Sequence, residues 1–169
     1  MYRAPQLFRN IVTEEFSIIE AKLAAIYIVR FRADHFPAIM RIERASFGRG
    51  AYPRALFDEL RAEPGCIFLV ARSGGVIAGY ILGCARGESS EIVSVAVGPS
   101  ARGAGVGAAL MEALVQRLAA AGALRADLVV RTDNEAAIRF YRRFGFRRLR
   151  RLSGYYEDGS DGWLMRKAL

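Results

Sequence analysis

The chain has 169 residues, of which 53% are apolar and 25% are charged, and its formal net charge is +8. This composition excludes intrinsic disorder, and the length suits one compact α/β domain. No apolar run is long enough to span a bilayer, and the acidic residues Glu14, Glu15 and Glu20 before the apolar stretch Ala24–Val29 are wrong for a secretory signal. We therefore expect a cytoplasmic protein that does not associate with membranes.

The basic residues are almost all arginines, since Lys22 and Lys167 are the only lysines. A basic surface favours polyanions such as nucleic acid, the ribosome or a phosphorylated cofactor, and the sign of the charge does not choose among them. Cys66 and Cys84 do not suggest a disulfide framework, and no Cys/His spacing suggests a metal site. We interpret the single histidine, His35, as a helix cap or a surface residue.

The predicted elements begin after an N-terminal extension, residues 1–25, in which Phe16, Ile18, Ile19 and Leu23 fit one face of a short helix without a clear period. Residues 26–169 form the predicted domain. Its first element is a strand over Tyr27–Arg32. A helix over Phe36–Ala45 follows, with Asp34 as its cap and with Ile39, Ile42 and Phe47 on one apolar side. A second helix begins at Pro53 and reaches Arg61.

The next segment predicts a hairpin, because Cys66–Ala71 and Val76–Cys84 are apolar and flank Ser73-Gly74-Gly75. The remaining elements follow from β-branched runs, a four-residue apolar period, caps and glycines. First come a strand over Glu91–Val97 and a helix that begins at Val106 and ends at Gly122. A strand over Leu124–Arg131 follows, and then a helix that Asp133 or Asn134 caps, that runs through Arg143 and that ends at Gly145. The last two elements are an antiparallel pair of strands over Phe146–Leu152 and Trp163–Lys167. This order predicts an α/β (α+β) fold with a mixed central sheet and helices on both faces.

The segment Arg102-Gly103-Ala104-Gly105-Val106-Gly107 joins an apolar strand to an amphipathic helix. Few side chains obstruct its backbone, and the first amides of the helix have no internal acceptor, so a diphosphate fits there beside Arg102. A dinucleotide-binding unit is a poorer fit, because its glycines belong to the first βαβ unit and an acidic residue ends its next strand, whereas that strand here ends in Arg131-Thr132-Asp133. A turn that serves only close packing is the other alternative.

Two linked motifs resemble those of the GNAT acetyltransferase superfamily. The first is Val95-Ala96-Val97 followed by Arg102-x-x-Gly105-x-Gly107, and the second is Asn134-x-x-Ala137-x-x-Phe140-Tyr141-x-x-x-Gly145-Phe146. The resemblance covers about Tyr27 to Leu169. It implies the GNAT fold, with a mostly antiparallel sheet of about seven strands in which two strands splay apart, and acetyl-CoA as co-substrate.

The resemblance also implies roles for individual residues. The strand residues would offer backbone groups to the pantetheine arm and the acetyl carbonyl, Asn134 would contact the pantetheine, and the Tyr141 hydroxyl would protonate the sulfur. Asn134 and Tyr141 lie two helical turns apart and so share one face. The full set that the resemblance implies for the cofactor is Val95, Ala96, Val97, Arg102, Gly103, Ala104, Gly105, Val106, Gly107, Ala108, Asn134 and Tyr141.

The general base departs from the pattern of the enzymes that acetylate ribosomal proteins. Those enzymes carry a glutamate five residues before the motif asparagine, and Val129 occupies that position here. Glu91 is the better candidate, because its distance from Arg102 resembles that of the catalytic glutamate in histone-type acetyltransferases. Partial burial beside the apolar strand would raise the pKa of its carboxyl group and favour proton uptake near neutrality. Glu88 is a neighbouring alternative, and a solvated residue at the start of the strand is the other reading of Glu91.

The segment Gly154-Tyr155-Tyr156 through Gly162-Trp163 resembles the Tyr-Tyr loop of N-terminal protein acetyltransferases, with Gly154 and Gly162 in place of the usual asparagine and alanine. It implies that Tyr155 and Tyr156 enclose the acceptor, and a β-hairpin with aromatic packing is the alternative. Nearby lies a cluster of arginines that could face the ribosome, the 3′-phosphate of the cofactor or only solvent: Arg142, Arg143, Arg147, Arg148, Arg150 and Arg151.

Three functions stay open at this point. The first is acetylation of a protein N-terminal α-amine, with a ribosomal protein or the ribosome as partner. The second is acetylation of a small amine, such as a polyamine, an amino acid or an antibiotic, and the third is a non-catalytic acetyl-CoA sensor. A nucleic-acid substrate is not expected, and both a monomer and a homodimer are compatible with the sequence.

Overall fold

The computed structural model describes residues 25–169, so the predicted helical face of residues 16–23 lies outside the described residues. Short 3-10 turns precede or follow several of the helices. The strands and helices in chain order are β1 (Tyr27–Arg30), α1 (Phe36–Phe47), α2 (Arg54–Ala62), β2 (Cys66–Ser73), β3 (Val76–Arg86), β4 (Ser89–Val97), α3 (Val106–Ala120), β5 (Arg125–Arg131), α4 (Glu135–Arg143), β6 (Arg147–Leu152) and β7 (Gly162–Ala168).

One seven-stranded sheet organises the described chain, in the order β1-β2-β3-β4-β5-β7-β6. Every neighbouring pair is antiparallel except β4 and β5, which are parallel. Strand residues alternate between the two faces. The helices α1 and α2 therefore pack on one face, around Phe57 and Tyr80, and α3 and α4 pack on the other, around Leu110 and Ile138. The predicted mixed sheet with helices on both faces is confirmed.

The β2–β3 hairpin is also confirmed, with Gly74 and Gly75 both at positive φ in a two-residue turn. That turn alone would place Cys66 opposite Gly83. A bulge between Ala71 and Arg72 shifts the register by one residue and pairs Cys66 with Cys84, and the structure joins the two cysteines in a disulfide. The sequence did not suggest a disulfide framework, because the bulge that brings these cysteines together has no signal in their spacing.

The start of α1 differs from the prediction that Asp34 caps the helix. A 3-10 turn, Ala33–His35, precedes Phe36, and His35 Nδ1 accepts the Arg32 N–H at 3.1 Å. His35 is therefore a buried capping residue, whereas the exposed Asp34 pairs with the Arg32 side chain. At the other end of α1, Phe47 is exposed instead of sharing the apolar face with Ile39 and Ile42. Between residues 25 and 169, no helix combines the length and the apolar character needed to cross a bilayer.

Candidate active site

The parallel strands β4 and β5 pair only at one end. Their ladder joins Ser89, Ser90 and Glu91 to residues 125–127 and then stops, although both strands continue. Val93 is an extra residue in the β3–β4 ladder, so β4 bends there, while β5 stays paired with β7 along its length. A gap therefore opens between the two strands beyond Glu91. The two strands splay as the sequence resemblance implied.

The glycine-rich loop, residues 102–107, lies at the far end of β4. Gly103 and Gly105 adopt φ values of 77° and 84°, and Gly105 is the N-cap of α3. No side chain caps this helix, and the first backbone bond into it runs from the Ala109 N–H to the Gly105 carbonyl. A Cβ on Gly103 would meet no atom within 4 Å, so the bend is open. The loop thus fits a pyrophosphate, since exposed amides at a helix start bind anions.

The surroundings of this loop connect the two sequence motifs. The exposed Arg102 side chain donates from Nε to the Val97 carbonyl at 3.3 Å, at the end of β4. A Cβ on Gly107 would lie 3.5 Å from both the Phe140 ring and Val97 Cγ2, so the small residue lets α3, α4 and β4 meet closely. The side chain of Val95 points toward the same core, whereas Ala96 faces α1 and α2.

Asn134 and Tyr141 occupy the two ends of α4. Asn134, and not Asp133, caps the helix, because its Oδ1 accepts the Ala137 N–H at 3.1 Å. Its Nδ2 group stays available to a ligand. Tyr141 packs edge-on against Phe146, and burial first, then the charge of Tyr156, raise its pKa above the ordinary tyrosine value. The Tyr141 hydroxyl is therefore protonated at any physiological pH and can serve as a proton donor.

Glu91 is the last β4 residue that pairs with β5, so it lies where the gap begins. Its side chain is exposed, in contrast to the partial burial expected from the sequence, because the strands separate beside it. Its charge acts on two tyrosines from different loops. Burial and the negative charge of Glu91 raise the pKa of Tyr155, and Glu91 also contributes, after burial and the charges of Tyr155 and Glu43, to the raised pKa of Tyr52.

The alternative base, Glu88, lies in the exposed turn before β4, where its carbonyl accepts the N–H groups of Leu124 and Arg125. The gap begins at Glu91, three residues further along the chain. Since a strand rises about 3.3 Å per residue, Glu88 is separated from the opening by the whole paired end of β4. The placement favours Glu91 over Glu88.

Val129 lies beside the tyrosine pair of the β6–β7 loop, residues 153–161. A Cβ on the buried Gly162 would come within 2.6 Å of Val129 Cγ1 and within 3.5 Å of the Tyr155 and Tyr156 rings. The two rings contact each other edge to face at 5.1 Å. The position where the enzymes that acetylate ribosomal proteins carry a glutamate is therefore occupied by an apolar side chain beside the two tyrosines.

The β6–β7 loop is held in place by charged side chains. The Arg131 guanidinium lies 4.2 Å from the Tyr156 ring centroid and contacts Asp158 at 2.8 Å. Asp161 accepts the Gly154 N–H at 2.8 Å and the Arg151 Nε–H at 2.7 Å. Because these contacts tether the loop at several points, the tyrosine pair has a defined position.

Strand alternation does not separate Arg148 from Arg151, because the bulge between Arg148 and Arg150 sets them opposite Met165 and Trp163, which share one face of β7. Arg148 stacks on Trp163 and lies 3.6 Å from Glu135, while Arg151 pairs with Asp161. These two arginines therefore stabilise the edge of the sheet and the neighbouring loop. The whole strand β6 is nonetheless exposed apart from Leu152.

Sequence reasoning missed two residues of this region, Tyr52 and Glu43. Tyr52 lies in the α1–α2 loop, residues 48–53, where no periodic pattern exists. Glu43 is fully buried in α1, and it follows Ile39 and Ile42 at the spacing of one helical face. A carboxylate on an apolar helical face was the available signal for Glu43.

The raised tyrosine pKa values predict a loss of stability in alkali. Burial raises the pKa of Tyr156 to about 12 from the ordinary 10.0, despite the opposing Arg131 charge, and the pKa of Tyr141 is raised as well. Below pH 10 both tyrosines are neutral in the native and unfolded chains, so their contribution is complete. As the pH rises from 10 toward 12, the unfolded chain releases protons that the native chain retains, and the contribution is lost.

We therefore expect the thermal midpoint to fall over this pH range, and to fall less steeply in Tyr156→Phe. The exposed Tyr27 of β1 provides the control, since Tyr27→Phe should follow the wild type. A slope that Tyr156→Phe leaves unchanged would contradict the buried environment of this hydroxyl.

A gap between two parallel strands, an uncapped glycine-rich helix start beside it and a protonated tyrosine on the adjoining helix fit a coenzyme A-dependent acyltransferase. The sequence model of the acetyltransferase (GNAT) family matches residues 36–146. The chain belongs to this family, whose members use acetyl-CoA, and it is an N-acetyltransferase.

Individual relatives agree with this assignment. An uncharacterized N-acetyltransferase of Methanocaldococcus jannaschii is 38% identical over 142 residues, covering 83% of this chain and 90% of the relative. The N-alpha-acetyltransferase RimI of Mycobacterium tuberculosis is 35% identical over 125 residues, covering 71% of this chain and 77% of that protein. The crystal structure of Ard1 from Thermoplasma volcanium is similar with a TM-score of 0.80 at 32% identity, covering 86% of this chain and 98% of Ard1.

Proposed function

We propose that this chain transfers an acetyl group from acetyl-CoA to the N-terminal α-amine of a protein in the cytoplasm, ribosomal proteins among the acceptors. The observation that carries the proposal is a group of three tyrosines: the charge of Glu91 acts on Tyr52 and Tyr155, and the Tyr156 ring contacts that of Tyr155. Tyr52 comes from the α1–α2 loop, and Tyr155 and Tyr156 come from the β6–β7 loop on the other side. Two loops that approach each other suit the backbone at the end of a polypeptide, and the relatives named above include one N-alpha-acetyltransferase.

The residues of the chain divide the work in this proposal. The amides of residues 103–108 and the Arg102 guanidinium hold the pyrophosphate, and the exposed edge of β4 offers Val95–Val97 to the pantetheine arm. Asn134 Nδ2 adds a donor to the same arm. Acetyl-CoA supplies an activated acetyl thioester when bound.

Two side chains handle the protons. A protein N-terminus has a pKa of about 8 and is mostly protonated at neutral pH, so it must lose a proton before it can attack a carbonyl. Glu91 accepts that proton at its carboxylate. As the C–S bond breaks, Tyr141 Oη gives the departing sulfur the proton that its raised pKa has kept in place. The proton that the nitrogen loses as the amide forms restores the Tyr141 hydroxyl.

The cofactor site is tested by thermal stabilisation. We expect acetyl-CoA to raise the thermal midpoint of the wild type by several degrees, as a ligand that binds only the native state must. The double variant Arg102→Glu/Gly105→Asp should show no such rise, because carboxylates replace the cation and obstruct the bend. Arg86→Glu/Gly87→Asp makes the same change of charge at another positive-φ glycine and should retain the rise. Equal stabilisation of both variants would contradict the assigned site.

The acceptor is tested by thiol release with a panel of amines. Peptides that begin with Ala, Ser or Met should be substrates, and the same peptides with a blocked N-terminus and an internal Lys should be inert. Turnover with polyamines, amino acids or aminoglycosides but not with peptides would replace the proposal by small-amine acetylation. Binding of acetyl-CoA without turnover on any amine would identify a sensor.

A further inference from the structure

The core between α1 and the sheet contains one fully buried carboxylate, Glu43, which the proposed chemistry does not use. Its Oε1 accepts the Tyr52 N–H at 2.8 Å, and its Oε2 accepts the Tyr80 hydroxyl. The Tyr80 oxygen also lies 2.9 Å from Ser94 Oγ. Glu43, Tyr80 and Ser94 are all buried, and no salt bridge within residues 25–169 involves Glu43.

Stability alone does not account for this carboxylate. Burial disfavours an ionised group without a cation, and apolar residues of similar volume usually stabilise such a site equally well or better. The surroundings of Glu43 are already apolar, with Phe36, Ile39 and Ile42 on the same helix. Retaining Glu43 therefore calls for a role that an apolar side chain cannot fill, and the hydrogen bonds that it accepts indicate that role.

The network joins the two parts of the molecule that border the acceptor. One end is the backbone of Tyr52, whose phenol lies near Tyr155 and Glu91. The other end is Ser94, which directly follows the extra residue at the bend of β4 and precedes Val95. Glu43 and Tyr80 span the distance between them, through α1 and β3. These hydrogen bonds therefore link the α1–α2 loop to β4, the strand that lines the gap.

We propose that Glu43 is a positioning residue that fixes the α1–α2 loop, and Tyr52 in particular, against β4 and thereby assembles the acceptor side of the site. The inference rests on the proposed function and deepens it, because it assigns the control of acceptor binding to a group that contacts neither substrate. Among residues 25–169, the hydrogen bonds of this network involve no residue of the glycine-rich loop, α3 or α4, which form the pyrophosphate and Tyr141 side of the site on the other face of the sheet.

Steady-state kinetics of the full chain test the proposal. Glu43→Ala removes the acceptor of the Tyr52 N–H, so it should raise KM for an acceptor peptide about tenfold or more, as expected when a buried hydrogen bond is lost and its donor stays unpaired. The dissociation constant of acetyl-CoA should stay within about twofold. Glu43→Gln should restore most of the peptide KM, since its amide oxygen still accepts the Tyr52 N–H.

A matched pair of serines in β4 supplies the control. Ser94→Ala breaks the network at its far end, whereas Ser90→Ala removes an equally buried hydroxyl that bonds the Arg125 carbonyl at 2.8 Å. Ser94→Ala should raise the peptide KM, and Ser90→Ala should not. If Glu43→Ala fails to fold, the peptide KM of Ser94→Ala and of Tyr80→Phe tests the same proposal. Equal effects of the two serine variants, or changes in peptide and acetyl-CoA binding of the same size, would overturn the proposal.

A second measurement does not depend on the acceptor. Arg49 lies in the α1–α2 loop and is exposed, so trypsin cleavage after Arg49 reports how firmly the loop is held. Cleavage there should be about tenfold faster in Glu43→Ala than in the wild type, with cleavage after the exposed Arg86 unchanged. Unchanged cleavage after Arg49 would overturn the positioning role. If cleavage after Arg49 is faster in Glu43→Ala but the wild type acetylates no peptide, then Glu43 holds the loop and the proposed acceptor is wrong.

Discussion

Replacing Tyr141 with Phe should lower kcat by about 10²- to 10³-fold while the affinity for acetyl-CoA changes by less than about twofold. The hydroxyl is the only group that the substitution removes, and the ring contacts with Phe140 and Phe146 remain. Because a thiolate leaves far more slowly without a proton donor, the loss falls on the chemical step and not on binding. The raised pKa of Tyr141 also means that wild-type activity should not decline below pH 10 through loss of this proton.

The measurement is thiol release under saturating substrates, together with calorimetric titration of acetyl-CoA. Tyr27→Phe removes a hydroxyl from an exposed tyrosine on β1 and should keep full activity. If Tyr141→Phe retains wild-type kcat, then the proton reaches the sulfur from another group. If it loses cofactor affinity in proportion to activity, then the hydroxyl acts in binding and not as an acid.

Replacing Glu91 with Gln should lower kcat/KM for a peptide at pH 7 by about tenfold, and by much less at pH 9. The carboxylate takes the proton of the ammonium group, so without it the reaction depends on amine that is already neutral. That fraction rises tenfold per pH unit below the amine pKa of about 8 and levels off above it. In Glu91→Gln, the acid limb of the pH–rate profile should therefore shift to higher pH, with its midpoint at the pKa of the amine.

Glu88→Gln is the matched control, since Glu88 is an exposed glutamate near the same strand and the competing candidate for the base. It should leave the pH–rate profile as in the wild type. A shifted profile in Glu88→Gln with none in Glu91→Gln would reverse the assignment. Wild-type profiles in both variants would indicate that solvent or a tyrosine accepts the proton.

Elements with local signals could be predicted from the sequence, whereas contacts between distant segments could not. The Gly74-Gly75 turn and the glycines of the loop at residues 102–107 are visible because positive φ selects glycine at those positions. The same holds for the N-cap before α4, where a side chain acts within three residues of itself. The strand boundaries differ from the prediction by at most two residues, because hydrogen bonding to a neighbour, and not the residue type, ends a strand.

The Cys66–Cys84 disulfide and the contact between Val129 and Gly162 are features that local sequence patterns do not predict. Cys66 meets Cys84 only because a bulge shifts the register of the hairpin. Val129 and Gly162 come together through the pairing of β5 with β7, which closes after two intervening elements. The Glu43 network likewise depends on three elements packing at once. Such contacts follow from topology, so a sequence motif identifies the cofactor loop more readily than it identifies the acceptor.

The separation of β4 from β5 has a consequence for how the protein behaves without its ligands. A sheet normally has two outer strands with unpaired backbone groups, and unpaired strand edges invite pairing with other chains. This sheet exposes two further edges in its middle, beyond Glu91. An extended ligand arm inserted there would satisfy those groups, so purification and storage with coenzyme A should suppress self-association of the protein.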